Sequence, residues 1–216
     1  MIIKIYKHTN DSFCQGLVYH NKILYESSGL YNKSFLQKYD LSMKMLVRRF
    51  LPKNIFAEGI CILNNIIYLL TLDNSYLFQF DLDFNFICKT KFILSTCWGL
   101  TTDGKNLIVS DGTNKIYFID PMNFNIIKII YLNTNNINAL TYVNNKIYAN
   151  IYGTYEIVRY NILTKNVKIY NMEDLQKYEK KKLNQYSILN GITHIDKNTF
   201  IVTGKKWDNL YVIKLK

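Results

Sequence analysis

The chain has 216 residues, 49% of them apolar, 15% aromatic and only 20% charged, which suits one packed domain and excludes a disordered composition. Its 27 basic and 16 acidic residues leave a net charge of +11, and every basic residue except Arg48, Arg49 and Arg159 is lysine, so a polyanion is the first partner class to weigh. No apolar run approaches the ~18–20 residues of a membrane span, and the scattered Cys14, Cys61, Cys88 and Cys97 form no CxxC pair and no disulfide scaffold.

Reading from the start, Met1-Ile-Ile-Lys-Ile-Tyr-Lys alternates apolar and polar residues like a strand. It lacks the longer apolar stretch and small-residue cleavage site of a signal peptide, so the expected compartment is the cytoplasm. Export is the alternative if a leader precedes this chain. Strand-like runs follow at residues 22–25, 35–39, 66–70, 76–80, 116–119, 156–160 and 210–215. They are β-branched and aromatic, and turn pairs separate them. Asn64-Asn65, Asp103-Gly104, Asn144-Asn145 and Asp208-Asn209 supply residues that tolerate positive φ. Residues 171–183 read as an inserted helix, with Asn171 as cap, Glu173 and Asp174 in the first turn and Lys180–Lys182 near its end. The lysine cluster is then a solvated helix terminus.

One phrase recurs along the chain: a small residue, an apolar one, a turn, then an apolar-aromatic strand. It begins at Gly16, Gly59, Gly99, Ala139 and Gly191, at intervals of 43, 40, 40 and 52 residues. A period near 40–45 with about four strands per unit is the signature of a propeller blade. The expected fold is therefore all-β: a single five-bladed β-propeller domain over residues 1–216. The insertion at 171–183 accounts for the longest interval. The leading strand Ile2–Lys7 is expected to close the ring beside the last blade.

The residue before each small-apolar pair is Gln15, Glu58, Trp98, Asn138 and Asn190. In a propeller the innermost strands line the axis, so these five converge on a hub. Glu58 is the one ionisable group among them and is the candidate general acid/base. Burial among amides, Trp98 and Phe13 would raise its pKa. The amides can hold an amine or carboxamide and donate to an oxyanion. The alternative is that these side chains only satisfy one another in a wet channel. No GxSxG elbow, phosphate loop or clustered metal-ligand set competes with the hub.

At these residues the sequence resembles the plant and bacterial type of glutaminyl-peptide cyclotransferase, a family of five-bladed propellers. The matching stretches are Phe13-Cys-Gln-Gly-Leu, Leu24-Tyr-Glu-Ser-Ser-Gly-Leu-Tyr, Ala57-Glu-Gly-Ile and Trp98-Gly-Leu-Thr-Thr-Asp-Gly-Lys. Ser110-Asp-Gly-Thr, Phe118-Ile-Asp-Pro, Ile137-Asn-Ala-Leu, Leu189-Asn-Gly-Ile and Thr203-Gly-Lys-Lys-Trp complete the series. The resemblance implies conversion of an N-terminal glutamine to pyroglutamate with release of ammonia, without metal or cofactor. It implies catalytic roles for Glu58, Asn138 and Lys205. It implies substrate-binding roles for Gln15, Trp98 and Trp207; Phe13 and Asn190 are expected to join them from the hub, and Tyr152 from a position where the family usually has Trp. The chain departs from the family's usual pattern at Cys14, Leu72, Ala139 and Tyr152; the family usually has Trp at positions 72 and 152.

The expected partners are peptides or proteins that begin with glutamine, bound by a monomer, with neither nucleic acid nor membrane involved. The second function class is a propeller that binds peptides without turning them over. A polyanion-binding protein is the third, and the net charge alone argues for it. A general excess of Asn, Ile, Lys and Tyr, as an A/T-rich coding bias gives, accounts for the lysines without function.

Overall fold

Alternating apolar side chains and left-handed turn residues dictate short antiparallel hairpins. The computed structural model describes residues 1–9, 11–40, 42–72, 75–180 and 185–216. It is a five-bladed β-propeller, with each blade a four-stranded antiparallel sheet. The first strand, β1 (Ile2–Lys7), stands apart from its sequence neighbours. Blade one is β2 (Cys14–His20), β3 (Ile23–Ser28), β4 (Phe35–Tyr39) and β5 (Met45–Phe50). Blade two is β6 (Ala57–Leu63), β7 (Ile66–Thr71), β8 (Tyr76–Phe80) and β9 (Phe86–Lys91). Blade three is β10 (Leu100–Thr102), β11 (Leu107–Ser110), β12 (Lys115–Ile119) and β13 (Ile126–Tyr131). Blade four is β14 (Ile137–Val143), β15 (Lys146–Ile151), β16 (Glu156–Asn161) and β17 (Val167–Asn171). Blade five is β18 (Leu189–Asp196), β19 (Thr199–Gly204) and β20 (Asn209–Lys214), with β1 as its outer strand.

The inner hairpins turn where the sequence offers asparagine. Asn21-Lys22, Asn64-Asn65 and Asn144-Asn145 all take positive φ, between 45° and 65°. Such pairs give the turn whose twist matches the flanking strands. Asp208-Asn209 behaves differently. The left-handed residue of that connection is Lys206, at φ 60°, and Asn209 already begins β20. The core lies between blades. Leu77, Leu100, Leu107 and Tyr117 pack blade two on blade three, and Ile108, Ile137, Ile147 and Val158 pack blade three on blade four. Cys14, Cys61 and Cys97 are buried in this packing as free thiols, and Cys88 is a half-buried one.

The insertion before blade five is shorter than the sequence indicates. It is one 3₁₀ helix, η1 (Glu173–Tyr178), rather than a helix over 171–183. Within the helix Leu175 is the buried residue, so one apolar side chain docks this short turn. Asn171 still serves the helix start: its Oδ1 accepts from the Glu173 amide at 2.7 Å. Lys180 follows the helix, and Lys181 and Lys182 lie outside the described residues. Glu179 then fastens the insertion to blade five. It accepts from the Asp208 amide at 2.6 Å, the Asn209 amide nitrogen at 3.1 Å and the Tyr211 hydroxyl.

Candidate active site

The five inner strands crowd at the axis, and this explains the small residue of the repeat. A Cβ at Gly59 would lie 2.4 Å from the Leu100 nitrogen, and one at Gly99 would lie 2.0 Å from the Asn138 oxygen. Four of the five hub residues sit where the strand register skips. In β2 the register shifts between Cys14 and Gly16, in β6 between Ala57 and Ile60, in β14 between Ile137 and Leu140, and in β18 between Leu189 and Ile192. Gln15, Glu58, Asn138 and Asn190 occupy these bulges. A bulge re-aims its side chain away from the sheet's ordinary alternation.

Three of the hub segments are also anchored by the second strand of the blade before them. The Ser27 hydroxyl on β3 donates to the Glu58 carbonyl at 2.6 Å. The Ser110 hydroxyl on β11 donates to the Asn138 carbonyl at 2.9 Å. Asn150 Oδ1 on β15 accepts from the Gly191 amide at 3.0 Å. Trp98 precedes β10 and is held from behind. Gly112, at φ 82°, lies against its indole so closely that a Cβ would be 2.8 Å from the ring. The Asp111-Gly112 turn is closed by Asp111, which accepts from the Thr113 amide at 2.9 Å.

These elements enclose a pocket of about 210 Å³ lined by Phe13, Gln15, Phe56, Glu58, Leu72, Trp98, Asn138, Tyr152 and Lys205. Its volume is below the ~300–1,000 Å³ of drug-sized sites, which suits a single chain end. A larger groove, about 600 Å³, runs between the outer parts of blades one and two past Phe50, Phe78 and Phe86. Among the described residues its charged lining is Arg49 and Lys89, with no carboxylate beside them.

Glu58 is 3% exposed, and its Oε1 accepts from Gln15 Nε2 at 2.8 Å. Asn190 Nδ2 donates in turn to Gln15 Oε1 at 3.0 Å and to the Cys14 carbonyl at 2.9 Å. This relay points the Gln15 amino group at the carboxylate. Lys205 Nζ lies 4.7 Å from the Phe13 ring centre and 5.0 Å from that of Tyr152. Trp98 meets Tyr152 edge-on at 5.3 Å, and Phe13 meets Phe56 edge-on at 6.4 Å. Asn138 Oδ1 is buried with no hydrogen-bond partner among the described residues.

Burial raises the Glu58 pKa well above the usual carboxylate range, opposed by the Lys205 charge and by the Gln15 hydrogen bond. Burial lowers the Lys205 pKa, opposed by the charge of Glu58. Each group thus limits the other's shift, and the pair holds a carboxyl and an amine nearer to neutrality than either would be in water.

The structure therefore brings together Phe13, Gln15, Glu58, Trp98, Asn138, Tyr152 and Lys205. It places the other two expected site residues elsewhere. Asn190 is fully buried behind Gln15 and does not line the pocket. Trp207 is also fully buried: its Nε1 donates to the Ser187 carbonyl at 2.9 Å, and its ring stacks on Tyr155 in the blade-five core. The reversal at Lys206 turns it away from the lysine two positions earlier. Phe56 is a lining residue that sequence reasoning missed. Its signal was present, since phenylalanine stands two positions before both Gln15 and Glu58.

A family model described as glutamine cyclotransferase matches residues 1–215. The glutaminyl-peptide cyclotransferase of Arabidopsis thaliana is 33% identical over 228 residues, covering 100% of this chain and 71% of that protein. The crystal structure of Myxococcus xanthus glutaminyl cyclase superposes with a TM-score of 0.91 at 27% identity, over 100% of this chain and 96% of that one. A chain of a nidogen/laminin complex aligns with a TM-score of 0.62 at 16% identity, covering 95% of this chain and 77% of that one, and shares the fold alone.

Proposed function

Because this chain belongs to the glutamine cyclotransferase family, we propose that it cyclises the N-terminal glutamine of peptides or proteins to pyroglutamate, with Glu58 as the acid-base group and no metal in the reaction. The observation that carries the reading is a buried carboxylate that lines a residue-sized aromatic pocket together with Lys205. The pocket's polar groups are one carboxylate, two amides, an amine, a phenol and an indole N–H. Charge handling then falls to Glu58 and Lys205.

The substrate's neutral α-amine attacks the Cδ carbon of its own side-chain carboxamide. A C–N bond forms, and the carbonyl electrons move onto oxygen. Glu58, as carboxylate, takes the proton the amine sheds. It returns that proton to the carboxamide nitrogen, which leaves as ammonia while the carbonyl re-forms. A carboxyl with a raised pKa suits both transfers. Lys205 and the Asn138 amide stabilise the oxyanion, a kind of donor worth about 10²–10³ in rate. Asn138 Oδ1, buried and unpartnered among the described residues, is an acceptor for a substrate N–H. Gln15 holds the carboxylate in place. Phe13, Phe56, Trp98 and Tyr152 keep the side chain curled and exclude water, so the attack is an intramolecular, pre-oriented one.

The test is ammonia release from a glutamine-initiated peptide, with the matching mass loss on the peptide. Tight binding of that peptide with no cyclisation, under broad conditions, would instead favour a binding propeller. The family's usual Trp at position 72 is Leu here. Restoring it with Leu72→Trp is expected to lower KM severalfold while kcat holds, as measured with the same peptide.

A further inference from the structure

A buried ion pair outside the pocket lining, His8 with Glu26, is left unused by the chemistry above. Glu26 on β3 is fully buried, and His8 nearly so. His8 Nε2 lies 2.9 and 3.1 Å from the two Glu26 oxygens. His8 Nδ1 lies 3.2 Å from the Trp207 carbonyl. It also lies 3.4 Å from Thr203 Oγ1, whose own proton goes to the Asn209 carbonyl at 2.8 Å. Both ring nitrogens thus face acceptors, so both carry hydrogen and His8 is an imidazolium. Burial opposes that charge, but Glu26, the Trp207 carbonyl and Glu179 together outweigh it and the His8 pKa is raised. Burial likewise acts to raise Glu26, and His8, Ser12 and Gln37 together bring it below its ordinary value.

The pair ties together the two segments that carry the pocket. On one side the Ser12 hydroxyl donates to Glu26, and Ser12 leads directly into Phe13 and Gln15. On the other side His8 holds the Trp207 carbonyl, and the His8 amide donates to the Asp208 carbonyl at 2.8 Å. That turn carries Lys205. The Lys206 amide donates back to the Ser12 carbonyl at 2.7 Å and closes the loop. Gln37 and Tyr39 on β4 complete the carboxylate's shell at 2.7 and 3.1 Å. The other charged or titratable groups around the pair are Cys14, Glu179, and Arg48, which is paired with Asp11 at 2.6 Å.

Resting on the cyclase reading above, we propose that Glu26 and His8 are positioning residues: a buried clip that sets Lys205 against Phe13, Gln15 and Glu58. Opening the clip lets the Lys205 turn drift from the Phe13 side. Lys205 then offsets the burial of Glu58 less, and the carboxyl's pKa climbs further.

The test measures kcat/KM against pH for wild type, Glu26→Gln and Ser12→Ala with one glutamine-initiated peptide. Glu26→Gln is expected to lose about tenfold or more in kcat/KM, the scale of a small misplacement at a reacting centre. Its acid limb is expected to move to higher pH. Loss of the carboxylate returns His8 to neutrality, so the clip is net neutral before and after, and its far field does not account for the shift. Ser12→Ala cuts one tether only and is expected to move both quantities the same way by less. A folded Glu26→Gln enzyme with unchanged kcat/KM and an unmoved acid limb overturns the proposal, since a purely structural pair lowers only the melting temperature. If Glu26→Gln does not fold, Ser12→Ala decides by the same two readings. A wild type that releases no ammonia overturns the cyclase reading and this inference with it. An active wild type with unmoved variants overturns this inference alone.

Discussion

Glu58 and Lys205 are two buried groups of opposite charge type that hold each other's shifts in check. Removing the lysine removes the one nearby positive charge that lowers the Glu58 pKa. Lys205→Met is therefore expected to move the acid limb of kcat/KM to higher pH and to cost about 10²–10³ in kcat as the proposed oxyanion partner is lost. Steady-state ammonia release across pH reads both effects. Gln15, Glu58, Trp98 and Asn138 were legible because the repeat put them at one equivalent position in successive blades. Asn190 stands at the same position, yet its amide turns sideways to orient Gln15 rather than inward to the pocket. Trp207 shows the limit of carrying a role over on a matching motif. It follows Lys205 by two residues, but the left-handed Lys206 between them sends the lysine to the pocket and the indole to the core.

The inner strands convert this pattern into a site through their bulges and glycines. Hairpin positions follow from alternation and asparagine pairs, and they were legible. The bulges were not, because a skipped register leaves the sequence of a strand unchanged and arises only from its pairing. Inserting even a methyl group at the axis would force neighbouring inner strands apart. Gly99→Ala is expected to destabilise the fold by about 1–3 kcal/mol, as overpacking does, and to lower activity by displacing Asn138. Thermal melting and the ammonia assay check the two parts. The insertion was misjudged in length for a related reason. Its Asn, Glu and Asp start is a helix signal, while its end depends on docking through Leu175 and Glu179.

The ring as a whole is closed by β1, which pairs with β20 from Ile2 opposite Ile213 to Lys7 opposite Asn209. His8 then continues the closure through Glu26. The His8 pKa is raised from 6.5, so its stabilisation is complete below about pH 6.5 and is lost as pH rises through the folded value. The Glu26 pKa is lowered from 4.5, so its stabilisation is complete above about pH 4.5 and is lost as pH falls through the folded value. The difference in melting temperature between wild type and His8→Gln is accordingly expected to be widest between those limits and to narrow toward pH 9. Breaking one partner of a buried pair typically costs about 3–5 kcal/mol at its full extent. The net charge of +11, prominent in the composition, contributes little to this account: the charges that matter are Glu58 and Lys205 in the pocket and Glu26 and His8 outside its lining. The proposed cyclisation rests on Glu58 moving the proton. Its most direct test is ammonia release from a glutamine-initiated peptide by wild type and Glu58→Gln, both folded, side by side. Turnover by wild type and its loss by at least about 10² in the variant is the predicted result; full activity in Glu58→Gln would contradict the mechanism.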